Sequence, residues 1–185
     1  MLTKTMHVSL AALIGAALAC GKTATDATAP DDGGPTPGGS GMPSEIVGSW
    51  YVGSVSPTNY HNTSTGSWSN AGGEGMFYTL KANGKFEFGY EVYSTVYGCT
   101  ITAMFWKTGT ATIDAASHAI TLHPTEATLH STDTCSASGN YDKNISKDAE
   151  TLTWNFVVDD YGERVLRLRW VGTDEYKDFY RWNQQ

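Results

Sequence analysis

From Glu45 onward the chain alternates apolar and polar residues with a period of two, broken every 10–14 residues by turn formers, and carries no 12-residue helical stripe. Met76, Tyr78 and Leu80 point one way and Thr79 and Lys81 the other. Asn83-Gly84, a strong hairpin signal, follows because both residues tolerate positive φ. Phe86, Phe88, Tyr90 and Val92 then oppose Lys85, Glu87 and Glu91. Leu152, Trp154, Phe156 and Val158 alternate with Thr153 and Asn155 before the turn Asp159-Asp160-Tyr161-Gly162. Arg164, Leu166, Leu168 and Trp170 alternate with Glu163, Arg167 and Arg169, and a last strand follows Gly172-Thr173-Asp174, from Glu175 to Trp182. Shorter strands fit Ile46–Ser54, Thr100–Lys107, Thr110–Asp114, Ala119–Leu122 and Ala127–Thr132, with Pro57 and Pro124 between strands.

Strands that bury one face only, in a run of about 8–10, predict an all-β domain over residues 45–185: a single antiparallel up-and-down barrel, which also removes exposed edges. A membrane-spanning barrel would need an outward apolar band, and the outward positions hold Lys85, Glu87, Glu91, Arg167 and Arg169. All 22 aromatic residues lie from Trp50 to Trp182. Everything able to build a core is therefore in that domain.

The first 49 residues read as an address and a tether. Lys4 precedes an apolar run from Val8 to Ala19, too short to cross a bilayer, which takes about 20 residues, but sized for a signal peptide over residues 1–19. Residues 21–43 hold six of the 20 Gly and four of the six Pro, which predicts a flexible linker from Cys20 to residue 44, roughly 25–30 Å across as a coil. Gly21-Lys22-Thr23 imitates the end of a phosphate loop, but five residues separate it from Gly15 and no strand precedes it.

Ala17-Leu18-Ala19-Cys20-Gly21 resembles the lipobox of bacterial lipoproteins. The resemblance implies that Cys20 is acylated and becomes the first mature residue, with Gly21 directing the chain to the outer membrane. A membrane partner would then be reached through lipid. The body itself is acidic, with 12 basic and 19 acidic residues and net charge −7, which argues against nucleic acid, whose phosphates need clustered cations.

Gly48-Ser49-Trp50 at the head of the first strand, followed by a meander of hairpins, resembles the lipocalin-like (calycin) families. In those families this Trp closes the barrel bottom under an Arg from the last strand, which implies a contact between Trp50 and Arg181. Trp50 as a plain core aromatic is the other reading. The same start, with Tyr51, also resembles the opening of avidin-like barrels.

Signs of catalysis are sparse. Cys99 and Cys135, in an oxidising compartment, read as a disulfide. His61, His118, His123 and His130 form no recognised ligand motif; His123 and His130 could meet across a hairpin, but two ligands do not make a metal site. Asp159-Asp160 and Asp174-Glu175 fall in turns, and no nucleophile elbow is present. The expectation is a monomer without enzymatic activity or cofactor.

Two features point to binding. The loop Ser56–Gly73, 18 residues long with Tyr60 and Trp68, is either a lid over the barrel mouth or a floppy connection. The inward rings either fill the barrel or line a pocket formed by Phe88, Tyr90, Trp154, Phe156 and Trp170, with Arg164 near one end. The leading expectation is a membrane-tethered binder of an apolar small molecule. The alternative is an interaction module, such as a periplasmic proteinase inhibitor with a solid barrel.

Overall fold

A computed structural model describes residues 41–58, 60–69 and 72–183. The signal segment, Cys20 and the linker through residue 40 lie outside the described residues. Eleven strands follow in order: β1 (Gly48–Gly53), β2 (His61–Asn62), β3 (Ser67–Trp68), β4 (Gly75–Leu80), β5 (Lys85–Val96), β6 (Cys99–Asp114), β7 (Ala119–Asp133), β8 (Tyr141–Asn144), β9 (Glu150–Val158), β10 (Arg164–Trp170) and β11 (Tyr176–Arg181). The one helical element among the described residues is a 3-10 turn at Ala137–Gly139.

β1, β4, β5, β6, β7, β9, β10 and β11 form a closed antiparallel barrel, each pairing with the next and β11 returning to β1; β8 adds a ninth strand beside β7. Closure runs through Trp50↔Arg181 and Tyr51↔Tyr180. The barrel follows from the alternation: Trp50, Tyr78, Leu80, Phe86, Ile120, Leu122, Leu152, Leu166, Leu168 and Phe179 form one buried interior cluster. Phe77, one residue out of phase with Met76 and Tyr78, belongs to a second cluster on the outer wall with Val55, Tyr60, Met104 and Trp106. A wall with two apolar faces on part of its surface is one that something else covers.

Three boundaries differ from the sequence expectation. Thr100–Lys107 and Thr110–Asp114 are one strand, β6, and Ala119–Leu122 and Ala127–Thr132 are one strand, β7. Pro124 is thus inside a strand, at the register shift where Thr108 faces Glu126 and Gly109 faces Pro124. The extra residue, Thr125, absorbs the missing proline donor and swaps the inward parity of β7 from 127 and 129 to 122 and 120, which is what a β-bulge does. The third boundary is the linker: Met42 is buried in the interior cluster beside Ile46, so the barrel domain begins before residue 45.

Above Glu91↔Gly75, β5 outgrows β4, so Val92–Val96 and the facing end of β6 stand beyond the barrel as a hairpin arm. Its tip turns through Tyr97 and Gly98, both at positive φ. The Cys99–Cys135 disulfide, with Cα atoms 5.4 Å apart, ties this arm to the segment after β7.

Candidate functional site

One end of the barrel is closed. Trp50 donates its indole N–H to the Ile46 carbonyl at 2.8 Å, and its ring lies 5.7 Å from Phe156. The Arg181 guanidinium stands 5.0 Å from the Trp50 ring centre and donates to the Val47 carbonyl at 2.9 Å. Gly48, at φ +135, leaves room for it: a Cβ there would stand 2.9 Å from the Arg181 Nη2. The sequence-expected pair Trp50 and Arg181 therefore does meet, inside a plug completed by Met42 and Ile46.

The six residues expected to share one pocket are spread along the barrel from one end to the other. Trp154 and Phe156 interlock at the closed end, 6.2 Å apart, and the Arg164 guanidinium lies 3.5 Å over the outer face of the Phe156 ring, exposed to water. The reason is strand direction: β9 ends and β10 begins at the plug, so Phe156 and Arg164 cannot reach the opposite opening. His118 stacks on Trp154 at 4.6 Å. Phe88 packs on Tyr78 at mid-barrel, 4.9 Å away. Only Tyr90 and Trp170 reach the open end.

There the wall frames three hollows that share lining residues. The largest, about 560 Å³, is lined by Met76, Tyr90, Trp170 and the β10–β11 hairpin from Asp174 to Lys177. A second of about 280 Å³ adds Val52 and Glu74. A third of about 440 Å³ runs from Trp170 to Lys107, Glu150 and the stretch before β9. The Trp170 indole donates to Glu150 at 2.7 Å, which fixes the ring as a wall of the opening. The Tyr90 hydroxyl reaches toward Glu74 at 3.4 Å, and burial, then the Glu74 charge, raise its pKa. Burial and, behind it, the Glu150 charge raise that of Tyr78 well above the usual phenol range. Rings, a thioether and a few polar groups in a concave opening are the ordinary make-up of a small-molecule site. Met76, Lys107, Glu150 and Lys177 were missed as site residues. Alternation carries the signal: Lys107 keeps phase with Phe105, and Lys177 with Phe179.

The loop after β1 is not a lid. Tyr60 and Trp68 lie on the outer wall, with Tyr60 5.3 Å from Phe77 and 5.8 Å from Trp68. Trp68 is sandwiched between His61 at 4.3 Å and His130 at 5.3 Å, and His61 also meets Trp106 at 4.6 Å. The loop goes there because β4, β5 and β6 present Phe77, Gly89, Met104 and Trp106 outward, an apolar patch that needs a cover. Glu91, fully buried, lies beneath the same cover.

His123 and His130 do not converge: the first meets Thr112 and the second Asp142. Among the described residues no group of three metal-ligating side chains comes together, and no helix is long and apolar enough to cross a membrane. Asp159 sits in the closed-end turn, where burial raises its pKa but hydrogen bonds from the Glu163 amide, the Tyr180 hydroxyl and the Tyr161 amide outweigh it and lower the value. No family model, no curated protein and no solved structure matches this chain.

Proposed function

We propose that this chain is an exported, lipid-tethered barrel that binds a small apolar molecule at its open end. The observation that carries the reading is the opening of about 560 Å³ walled by Met76, Tyr90 and Trp170 above a plugged interior. Its size is that of a pocket for a drug-sized ligand. The tether is Cys20, acylated after removal of residues 1–19 and leading into a Gly- and Pro-rich linker. The Trp50–Arg181 contact supports a lipocalin-like ancestry, in which one end of the barrel is shut and the other receives ligand.

Native mass spectrometry of the purified protein tests the binding directly, with Trp170→Ala as comparison. A co-purifying small molecule that the variant loses is the expected result. Protein that is empty in every preparation, and that takes up no apolar dye, sinks the reading. For the tether, Cys20→Ala should abolish fatty-acid labelling and membrane fractionation.

The interaction-module reading keeps one observation in its favour. Val96 and Tyr97 project from the disulfide-anchored arm at 56% and 102% exposure, within a stretch from Val92 to Trp106 that carries no charge. Deleting that tip while retaining dye uptake would separate the two functions.

A further inference from the structure

Two edges of the barrel sheet are defended differently. The outer edge of β8 reads Tyr141-Asp142-Lys143-Asn144, and charges there are the ordinary guard against pairing with a foreign strand. The edge of β5 opens because β4 stops at Gly75, opposite Glu91, whereas β5 runs on to Val96. Val92–Val96 pairs with β6 on one side, and on the other no strand among the described residues pairs with it. The ladder fixes which backbone groups face that side. The Lys81 amide donates to the Lys85 carbonyl and the Ala111 amide to the Gly84 carbonyl, and the register of β5 is constant on both flanks. Odd-numbered residues of β5 therefore turn their N–H and C=O toward β4, and even-numbered ones toward β6. Past Glu91 the odd positions are Tyr93 and Thr95, whose backbone groups face outward from the arm. This edge holds β-branched and aromatic residues with no charge and no proline, and everything from Tyr93 to Val96 is exposed. Its other flank is held firm: the Thr134 amide donates to the Thr100 carbonyl, the Thr100 amide to the Thr134 hydroxyl, and the disulfide lies beside them. An edge fixed in this way loses little freedom on pairing.

Val92-Tyr93-Ser94-Thr95-Val96 reads nearly the same in both directions, with Ser94 at its midpoint. An antiparallel partner of the same sequence, related by a two-fold axis at Ser94, sets Val92 against Val96 and Tyr93 against Thr95, each twice over. Tyr93 and Thr95 are then the hydrogen-bonded pairs, and valine meets valine at the non-bonded positions, where side chains approach most nearly. We propose that this chain forms a two-fold dimer by adding the Val92–Val96 edge of one copy to that of a second, with Ser94 on the axis. A foreign strand would find the same backbone groups, but the symmetry of the stretch selects a second copy. Such a contact satisfies both edges at once and closes, so no strand is left to recruit a third chain. Charge agrees with the placement: bodies of net charge −7 repel one another, and the arm belongs to the stretch from Val92 to Trp106 that carries no charge. The interface is small, so the dimer is a weak one. It is independent of what the open end binds, and it departs from the monomer expected from the sequence.

Sedimentation of the full mature chain, from about 1 μM to about 1 mM, tests the dimer. The wild type should move from the monomer mass toward twice that mass as concentration rises. Ser94→Lys and Ser94→Glu each set like charges face to face on the axis, and each should weaken association by about tenfold or more. Mixed in equal amounts, the two variants should associate again, because lysine then faces glutamate. A variant damaged in its fold gains nothing from the mixture. Thr95→Pro removes an outward amide that β6 does not use, and should give a monomer with the far-ultraviolet spectrum of the wild type. A wild type that stays monomeric throughout the range overturns the proposal. So does a dimer that the Ser94 variants leave intact, or one that they break and their mixture does not restore.

Discussion

The hydroxyl of Tyr60 donates to the backbone carbonyl of Tyr90 at 2.8 Å, so the loop on the outer wall is bonded to the strand residue whose own side chain lines the opening. Burial, aided by the charge of Glu91, keeps that phenol protonated far beyond the ordinary range. Tyr60 is therefore a structural clasp. Tyr60→Phe should cost about 1 kcal/mol through one lost hydrogen bond, and Tyr60→Ala roughly 3–5 kcal/mol through loss of the ring as well. Urea unfolding measures both. Unchanged stability with altered dye release would restore the lid.

Gly89 lies under the same loop. A Cβ at this position would stand 2.1 Å from the Phe77 ring, far inside any real contact. Gly89→Ala should push Phe77 aside and lift Tyr60 and Trp68 from the wall, costing about 1–3 kcal/mol as an overpacking change. A red shift of Trp emission, absent in a Trp68→Phe background, is the expected signature. A variant with native emission and stability would mean that the wall gives way more easily than this geometry allows.

The Cys99–Cys135 bond closes a loop of sequence separation 36. On the chain-entropy model its removal should cost about 3–4 kcal/mol. Cys99→Ala with Cys135→Ala should lower the urea midpoint accordingly and raise amide exchange in the arm from Val92 to Thr102 first. Uniform exchange across the barrel would show that the bond stabilises the whole domain alike.

His61 predicts the direction of a pH response. Burial against Trp68 and Trp106 lowers its pKa; Glu87, Asp142 and Glu126 push it up by less, and His130 adds to the lowering. Its Nδ1 is buried without a hydrogen-bond partner among the described residues. The folded pKa is then below the unfolded value of about 6.5, so the unfolded chain binds more protons in that window. The stabilisation from a neutral His61 is complete above about 6.5 and is lost as pH falls toward the folded value. Unfolding midpoints taken from about pH 7.5 down to about 5 should fall more steeply for the wild type than for His61→Gln. Parallel profiles would remove His61 from the response.

Much of this architecture was legible because β-barrel walls are written in alternation. Phe86, Phe88 and Tyr90 against Lys85 and Glu87 fix both the strand and its inward face. The extent of β7 was not legible, since Pro124 breaks the hydrogen-bonding rule locally and only the bulge at Thr125 repairs it. The destination of the Ser56–Gly73 loop was hidden for another reason. Phe77, Met104 and Trp106 each sit at an outward position in a strand whose other face is also apolar, so the patch appears only once three strands lie side by side. The site divided for a geometric reason as well. Parity assigns Trp154, Phe156, Tyr90 and Trp170 to one interior, but height along the barrel depends on strand direction and stagger, which period two does not encode.

The pairing of Trp50 with Arg181 joins the first barrel strand to the last. Until that last strand is available, the other seven make an open curved sheet with two raw edges, and the indole of Trp50 lacks the cation that covers it. Folding must bring together segments separated by more than a hundred residues, Val47 and Arg181 being 134 apart, which favours slow closure. A chain threaded through a membrane amino end first would spend that interval as a sticky, unsealed ribbon. Its two open edges would make it most prone to association just before completion, and the chain's net charge of −7 would oppose that association.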